Sequence, residues 1–373
     1  MPERLKIAFF GSSLLSAYWN GAATYYRGII RALHERGHRI TFYEPDAYGR
    51  QNHRDISEPE WARVHVYPAE TESGVYAALE DARGADLIVK ASGVGVFDAL
   101  LERAVLELRS PARRIVFWDV DAPATLERIE RHPEDPFRTL IPRYDLVVTY
   151  GGGDPVSSAY KRFGAQHCTP VYNALDPVTH HPAARDRRFA ADLGFLGNRL
   201  PDREARVEEF FFGAAERSKS VFVLGGSGWG DRQLPANIKY VGHVYTGEHN
   251  AFNCSCRAVL NISRESMAKY GFCPATRVFE AAGAGACLIT DAWDGIEQFL
   301  EPGREVLVAP GGAEVAELLA SLTAERACSI GAAARRRVLE EHTYAHRAAQ
   351  LENLLGCYDG RRPGPPDAIA ASR

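Results

Sequence analysis

The sequence feature that most limits the fold is a repeated order of short apolar run, glycine-containing turn and helical segment. Residues 5–10 form an apolar run that ends at Gly11, and residues 24–36 then carry apolar side chains at helical spacing. A second apolar run, residues 39–43, follows at once. Strand, glycine loop, helix and strand in this order begin a doubly wound α/β domain with a parallel sheet.

The same order starts again in the second half of the chain, after a proline-punctuated stretch. At 373 residues, two domains fit the usual 100–200 residues per domain better than one. We therefore predict an N-terminal Rossmann-like domain, an interdomain linker, a second α/β domain, a C-terminal helix that packs back on the first domain and a disordered tail. Their bounds are 1–170, 171–190, 191–342, 343–359 and 360–373.

Charge and composition exclude several classes of protein. The net charge of −4 gives no signal for nucleic-acid binding. No run approaches the 18 apolar residues of a membrane span, and the first residues show no signal-peptide core. The seven cysteines are scattered, and the closest pair, Cys254 and Cys256, has no second pair to complete a zinc site. We expect a cytoplasmic protein with reduced thiols and no bound metal.

The most informative stretch is residues 271–291, GFCPATRVFEAAGAGACLITD. Pro274 is predicted in the first turn of a helix, where its missing N–H costs nothing. Thr276 and Arg277 follow at the same end, and Glu280 lies one turn further on the face of Arg277. Free N–H groups, a hydroxyl and a guanidinium suit a diphosphate, and the carboxylate suits two ribose hydroxyls. An Ala/Gly-rich packing helix with an incidental Arg/Glu pair remains the alternative.

Glycine-rich turns after two strands of the second half are candidate ligand-binding loops. Asn198 and Arg199 follow the strand at 191–197. Gly226 lies in the turn after the strand at 220–224, and Trp229 in this turn either stacks on a base or only packs. In the linker, His180 and His181 have no Cys, Asp or Glu partners at metal-ligand spacing, so we interpret them as surface residues.

Two carboxylates lie just past the strand at 114–118 in the first half. Asp119 and Asp121 share a direction if the strand extends that far, and Pro123 stiffens the turn. We expect one to act as a general base toward a hydroxyl and the other to cap the next helix.

The loop after the first strand lacks the GxGxxG spacing of a dinucleotide site. Its residues Trp19, Asn20 and Gly21 either line a cleft at the strand ends or merely connect two elements.

Four segments together resemble one known family. Residues 118–123 (WDVDAP) are similar to its W-x-x-D-x-P segment, and residues 173–182 to its N-x-x-D-P linker. Residues 193–198 (LGFLGN) are similar to the strand and loop that open its donor domain, and residues 276–283 (TRVFEAAG) to its R-x-x-E-x-x-x-x-G segment. The chain resembles a GT-B glycosyltransferase, most closely the CgeB-like (spore maturation protein) group with a group-1-type C-terminal domain.

This resemblance implies two Rossmann-like domains that face a central cleft. It implies transfer of a sugar from a nucleotide-diphosphate donor to an unidentified hydroxyl-bearing acceptor, as an EC 2.4 hexosyltransferase-type enzyme, with no metal or other cofactor. The implied catalytic residues are Asp121 and Arg277. The implied donor-binding residues are Glu280, Thr276, Arg277, Asn198, Arg199, Arg264, Gly226 and Trp229, and the acceptor-side residues are Asn20, Gly21 and Asp119.

One departure from the family pattern leaves the stereochemistry open. Retaining members usually carry an E-x7-E motif, but the position eight residues before Glu280 is Phe272, and Glu265 is out of register. Two rival functions stay open as well. One is a GT-B sugar-nucleotide epimerase, which would share Glu280 and Arg277. The other is a non-catalytic sugar-nucleotide-binding or coat-associated protein.

Overall fold

The computed structural model describes residues 4–18 and 20–356 and contains two parallel β-sheets. The first sheet has the order β3-β2-β1-β4-β5-β6-β7, and every neighbouring pair runs parallel. Its strands are β1 Lys6–Phe10, β2 Arg39–Asp46, β3 Arg63–Pro68, β4 Leu87–Ala91, β5 Arg114–Asp119, β6 Leu146–Thr149 and β7 Cys168–Pro170. The second sheet has the order β10-β9-β8-β11-β12-β13, also parallel throughout. Its strands are β8 Ala191–Leu196, β9 Phe222–Gly225, β10 Ile238–Gly242, β11 Cys256–Asn261, β12 Leu288–Asp291 and β13 Leu307–Ala309.

Helices connect the parallel strands, as crossovers between parallel neighbours require. The first domain contains α1 Ala23–Glu35, α2 Glu72–Asp81, α3 Asp98–Ala104, α4 Ala122–Arg131, α5 Phe137–Leu140 and α6 Gly153–Arg162. The second contains α7 Pro201–Val207, α8 Gly213–Glu216, α9 His249–Ser255, α10 Glu265–Tyr270, α11 Thr276–Gly283, α12 Gly312–Ser321 and α13 Ala324–Glu341, and the helix α14 Tyr344–Leu355 follows. Each sheet is covered by apolar side chains on both faces. The prediction of two Rossmann-like α/β domains is confirmed.

Helix α14 packs against the first domain. Its residues Tyr344 and Leu351 belong to the apolar cluster that also contains Phe9 and Trp118. Gly28 of α1 touches the Tyr344 ring so closely that an added Cβ would lie 2.1 Å from Cε2. The last helix is therefore part of the first domain's core, although it follows the second domain in sequence.

The strand order reverses direction once in each sheet, between β1 and β4 and between β8 and β11. In open α/β sheets, ligands bind outside the carboxyl ends of the strands at this switch point. The loops after β1 and β4 and after β8 and β11 flank these switch points, and the loop after β5 lies beside the first of them. Within the described residues, no helix combines the length and the apolar character needed to cross a membrane.

The structure corrects several expectations. Strand β2 continues past the apolar run at 39–43, to Asp46. Helices α2 and α10 lie where the sequence indicated no element. Pro274 lies before α11, whose N-cap residue is Ala275, and its carbonyl oxygen instead accepts a hydrogen bond from Asn173 Nδ2 at 2.9 Å. Trp19 and the tail 360–373 lie outside the described residues.

Candidate functional site

The carboxyl ends of the two sheets meet through direct contacts. Gly152, just past β6, donates its N–H to the carbonyl oxygen of Phe272 at 2.7 Å. Asp121, just past β5, accepts a hydrogen bond at Oδ2 from Arg264 Nη1 at 2.7 Å. Both Phe272 and Arg264 follow β11. The two loop clusters that sequence reasoning placed in separate domains therefore line one cleft.

Helix α11 enters this cleft from a strained loop. Gly271 and Phe272 both have positive φ, 68° and 50°, and the chain turns there before α11 begins at Thr276. The Phe272 side chain packs between Gly153 and Gly295, where an added Cβ would lie within 2.9 Å of Phe272 atoms. An apolar ring thus occupies the position where the E-x7-E pattern would place an acid.

Glu280 lies on α11, 6% exposed, in a pocket of polar groups. Its Oε1 lies 3.7 Å from Nε2 of His180. Burial alone would raise the pKa of Glu280, but His180, His249 and Arg277, with the Thr24 side chain, hold this pKa below its usual value. The carboxylate is therefore kept ionised and ready to accept hydrogen bonds. Thr24 belongs to the first domain, so groups from both domains surround Glu280.

His180 is not the surface residue that the sequence indicated, because only 4% of it is exposed. Burial also lowers the pKa of His249 to about 4, so its ring is neutral at pH 7. The two imidazole rings lie 6.3 Å apart. The two rings are polar neighbours of Glu280, one from the linker and one from α9.

Arg277, beside Glu280, and its neighbour Arg203 have no carboxylate partner among the described residues. Among the described residues, neither Arg277 nor Arg203 has a carboxylate oxygen within 4.0 Å of a side-chain nitrogen; Arg203 Nη2 donates only to the carbonyl oxygen of Asn198, at 2.6 Å. Burial and the neighbouring charge of Arg277 lower the pKa of Arg203 to about 10. Burial also lowers the pKa of Arg277. Two neighbouring, partly buried cations repel each other, and an anion bound between them would compensate both charges.

The loops after β8 and β9 bond to and pack against each other. Asn198 Oδ1 accepts a hydrogen bond from the N–H of Ser227 at 2.9 Å. Gly226 has φ of +119°, and a Cβ there would lie 2.2 Å from the carbonyl oxygen of Gly197, so glycine is required. This close approach brings Asn198 to the edge of the cleft beside Arg203.

Two of the candidate donor residues have other partners. Trp229 is 1% exposed and donates Nε1–H to the carbonyl oxygen of Gly197 at 2.8 Å. It is a packing residue, which is the second of the two alternatives that the sequence left open. The guanidinium of Arg199 pairs with Glu204 at 2.5 Å and with Asp231 at 3.2 Å, so its charge is already compensated.

Asp119 and Asp121 have separate roles. Asp119 is fully buried and accepts hydrogen bonds from Ser92 Oγ at 2.6 Å, Thr125 Oγ1 at 3.1 Å, the Tyr160 hydroxyl and the N–H of Asp121. The prediction that Asp119 contacts the acceptor substrate is wrong, because its carboxylate oxygens accept hydrogen bonds from residues inside the fold.

Asp121 is the N-cap residue of α4, but its side chain makes no capping hydrogen bond. It faces a small cavity lined by Tyr150, Gly151 and Met267 among others. Its Oδ2 accepts from Arg264, which also pairs with Asp202 of the second domain, whereas its buried Oδ1 has no partner in the described chain. Burial raises the pKa of Asp121, and Arg264 opposes this rise only in part. A carboxylate with one unused oxygen at a cavity suits a general base.

The loop before α1 is organised by Asn20. Its Nδ2 donates to the carbonyl oxygens of Ser13 and Ser16, at 2.8 and 3.0 Å, and its Oδ1 accepts from Ser12 Oγ at 2.9 Å. Asn20 therefore shapes the loop. Its side chain is engaged in these hydrogen bonds, so the prediction that it contacts the acceptor substrate is not supported. Gly21 is exposed, with no neighbour within 4 Å of an added Cβ, and leads into Thr24.

Sequence reasoning brought together Arg277, Glu280, Arg264 and Asp121, and the structure places them around one cleft. Thr276 is the first residue of α11, at the same end as Arg277. Reasoning from the sequence did not identify Arg203, His180 or His249 as residues of the site. The available signal for Arg203 was its position in the first turn after the Gly197-Asn198 loop. His180 had no local signal, because its partner Glu280 lies 100 residues away in the chain.

The comparisons with known proteins agree with this architecture. Residues 203–353 match the family model described as "Glycosyl transferase-like". A search among curated proteins finds no match. Among solved structures, the sucrose-phosphate synthase of Thermosynechococcus elongatus superposes with a TM-score of 0.69 at 13% identity, over 95% of this chain and 98% of that one.

Two further solved structures share the fold over their whole length. Anabaena HepE, in complex with UDP and glucose, has a TM-score of 0.68 at 14% identity, over 95% of this chain and 100% of that one. An alpha-glucosyltransferase in complex with UDP and a 13-mer DNA has a TM-score of 0.66 at 11% identity, again over 95% and 100%. The chain therefore has the GT-B fold of these enzymes, and its residues 203–353 match the glycosyl transferase-like family model.

Proposed function

We propose that this protein is a glycosyltransferase that moves a sugar, of the hexosyl type, from a nucleotide-diphosphate donor to a hydroxyl-bearing acceptor. The observation that carries the proposal is the pair Arg203 and Arg277, which lacks a carboxylate partner in the described chain and lies beside the ionised Glu280. Diphosphate supplies the missing negative charge, and the ribose supplies the two hydroxyl donors that a carboxylate accepts. Neither the epimerase nor the non-catalytic function is favoured by the comparisons.

The proposed reaction is a displacement at the anomeric carbon of the donor sugar. Asp121 Oδ1 accepts the proton of the acceptor hydroxyl as its oxygen bonds to that carbon. The bond from the carbon to the β-phosphate oxygen breaks, and the electron pair leaves with the nucleoside diphosphate. Arg277 and Arg203, with the free N–H groups at the start of α11, stabilise the charge that develops on the leaving group. These cations take the place of a metal ion in the proposal.

The identity of the nucleotide follows from analogy alone. The Anabaena HepE structures contain UDP or UDP-glucose. UDP is therefore the first probe to use. We also propose the narrower CgeB-like assignment, on the four segments that resemble that group, and a cytoplasmic location.

A thermal-shift panel of nucleoside diphosphates and nucleotide sugars tests the proposal. A ligand that binds only the folded state at a hundredfold excess over its Kd adds about 2.7 kcal/mol of stability. We expect the ligands that carry one particular base to raise the unfolding midpoint, and the diphosphate to raise it more than the corresponding monophosphate. EDTA should not change these shifts. No shift with any member of a panel covering the five common bases would contradict the proposal.

A further inference from the structure

His180 places the interdomain linker in direct contact with the proposed ribose-binding carboxylate. The side chains of His180 and Glu280 are 4% and 7% exposed, and Nε2 lies 3.7 Å from Oε1. This separation is beyond a hydrogen bond, so the contact is electrostatic and leaves Oε1 able to accept from a ligand. His180 is therefore the linker residue that can set the direction and charge of Glu280.

The backbone of His180 is held from both sides. Its N–H donates to the carbonyl oxygen of Asp176 at 2.9 Å, and the Asp176 carboxylate pairs with Arg31 of α1, also at 2.9 Å. On the other side, an added Cβ at Gly283 of α11 would lie 3.0 Å from the carbonyl oxygen of His180. The imidazole is thus anchored between the first domain and the helix that carries Glu280.

The hydrogen-bond pattern selects one form of the His180 ring. Nδ1 is buried and has no hydrogen-bond partner among the residues that the structure describes, whereas Nε2 faces a carboxylate. With the proton on Nε2, the N–H faces the negative Oε1 of Glu280. Nδ1 is then a deprotonated acceptor, so no buried N–H donor is left without a partner. The imidazole therefore presents the positive end of an N–H dipole to Glu280.

We infer that His180 is a positioning residue for donor binding: its Nε2–H orients the Glu280 carboxylate so that both oxygens are presented to the vicinal hydroxyls of a nucleoside diphosphate. This inference rests on the proposed function and adds a residue to it. The alternative is that the imidazole only fills space between the linker and α11. The two differ in whether the Nε2 donor, rather than the ring volume, matters.

Three substitutions of His180 distinguish an effect of the Nε2–H donor from an effect of the volume of the ring. Gln carries an amide N–H near the position of imidazole Nε2, Asn carries one near Nδ1, and Leu keeps apolar bulk without a donor. We expect His180→Gln to keep most of the affinity, and His180→Asn and His180→Leu to lose about tenfold, because neither places a positive N–H end opposite Glu280 Oε1. His181→Ala is the matched control, because His181 is exposed and bonds only Pro182 and Asn250.

The measurement is calorimetric titration of each variant with the diphosphate that the wild-type chain binds most tightly among UDP, GDP, ADP, CDP and 5-methyl-UDP, all of which carry both ribose hydroxyls. The 2′,3′-dideoxy form of that ligand is titrated in parallel. We expect the tenfold loss only with the ligand that carries ribose hydroxyls, at an unchanged unfolding midpoint. Glu280→Ala is titrated as the reference for the proposed function.

The outcomes distinguish the two claims. Equal affinity in wild type, Asn and Leu variants, while Glu280→Ala binds weakly, overturns the role of His180 and leaves the proposed function standing. Equal loss for the dideoxy ligand also overturns it, because the defect would then not pass through the ribose. A wild-type chain that binds none of the five ligands overturns the proposed function and the inference together.

Discussion

At the scale of single residues, Asp119 and Asp121 show how burial separates two similar side chains. Asp119 accepts four hydrogen bonds inside the fold and organises the turn after β5. Asp121 is held in place partly by that network, because its N–H donates to Asp119 Oδ1 at 3.0 Å. Its own Oδ1 is left without a partner in the described chain. One Asp therefore supports the structure and the other is available for proton transfer.

Replacing Asp121 by Asn tests its assignment as the base. The amide keeps the shape but cannot take a proton, and general-base catalysis typically contributes 10²–10⁴-fold to the rate. We expect Asp121→Asn to bind the donor nucleotide as the wild type does and to release nucleoside diphosphate at least about 100-fold more slowly in the presence of acceptor. Asp154→Asn, at an exposed position, is the control. Full activity of Asp121→Asn would remove it as the base.

The pH dependence of turnover follows from the same residue. Burial raises the pKa of Asp121 and Arg264 lowers it in part, so the base is protonated at a pH above the usual Asp range near 3.9. The acid limb of the rate profile should therefore lie above that range. Arg264→Met removes the lowering contribution, so the limb should move to still higher pH. An acid limb that stays in place or moves down would contradict this, with Arg131→Met on the surface as control.

The residues of the site differ in how far the sequence could predict them. Arg277 and Glu280 were predictable because three residues apart on a helix means one shared face. His180 was misjudged as a surface residue, since its burial depends on Gly283 and Glu280, which come from a distant part of the chain. For Trp229 the sequence left two alternatives open for the same reason: whether an indole stacks on a ligand or packs inside is decided by Gly197 and Phe212 beside it.

At the scale of elements, α14 ties the end of the described chain to its beginning. The Glu352 carboxylate, fully buried, pairs with Arg36 at 2.5 Å and with His38 Nε2 at 2.9 Å. The Tyr344 ring lies flat against Gly28, where any larger residue would collide with it. A stable first domain therefore requires a helix that follows the second domain in sequence.

Gly28→Ala tests this dependence. The new Cβ would lie 2.1 Å from Tyr344 Cε2, so α1 and α14 must separate. Overpacking of this kind costs about 1–3 kcal/mol, which lowers the unfolding midpoint by several degrees in a domain of this size. Gly84→Ala, where nothing lies within 4 Å of the added Cβ, is the control and should be neutral. An unchanged midpoint for Gly28→Ala would show that α14 is not held as described.

Buried elements were predicted better than edge elements. The central strands β1, β4, β5 and β8 consist mostly of buried apolar residues, typical of parallel strands covered on both faces. The edge strand β3 has only two buried residues out of six, so it lacks a clear pattern. The six-residue helix α10 is too short for helical periodicity and depends on its contacts with neighbouring helices.

At the scale of the whole molecule, the proposed site is formed by two domains that contribute different groups to one cleft. The first provides Asp121 and Thr24, and the second provides Arg203, Arg277 and Glu280. Arg264 bridges them, because it pairs with Asp121 and with Asp202 at once. The sequence could predict two similar halves from their repeated pattern. It could not predict which loops meet, because that depends on how one finished domain packs on the other.

The most direct test of the account is a calorimetric titration of the wild-type chain and of Arg277→Met with UDP, the first diphosphate probe. Because Arg277 has no carboxylate partner in the described chain, its removal should cost the hydrogen bonds it makes to the diphosphate. At about 1.5–3 kcal/mol for a hydrogen bond to a charged group, we expect affinity to fall about tenfold or more, with an unchanged unfolding midpoint. Arg304→Met, an exposed site, should bind as the wild type does. Equal affinity of Arg277→Met and wild type would contradict the account.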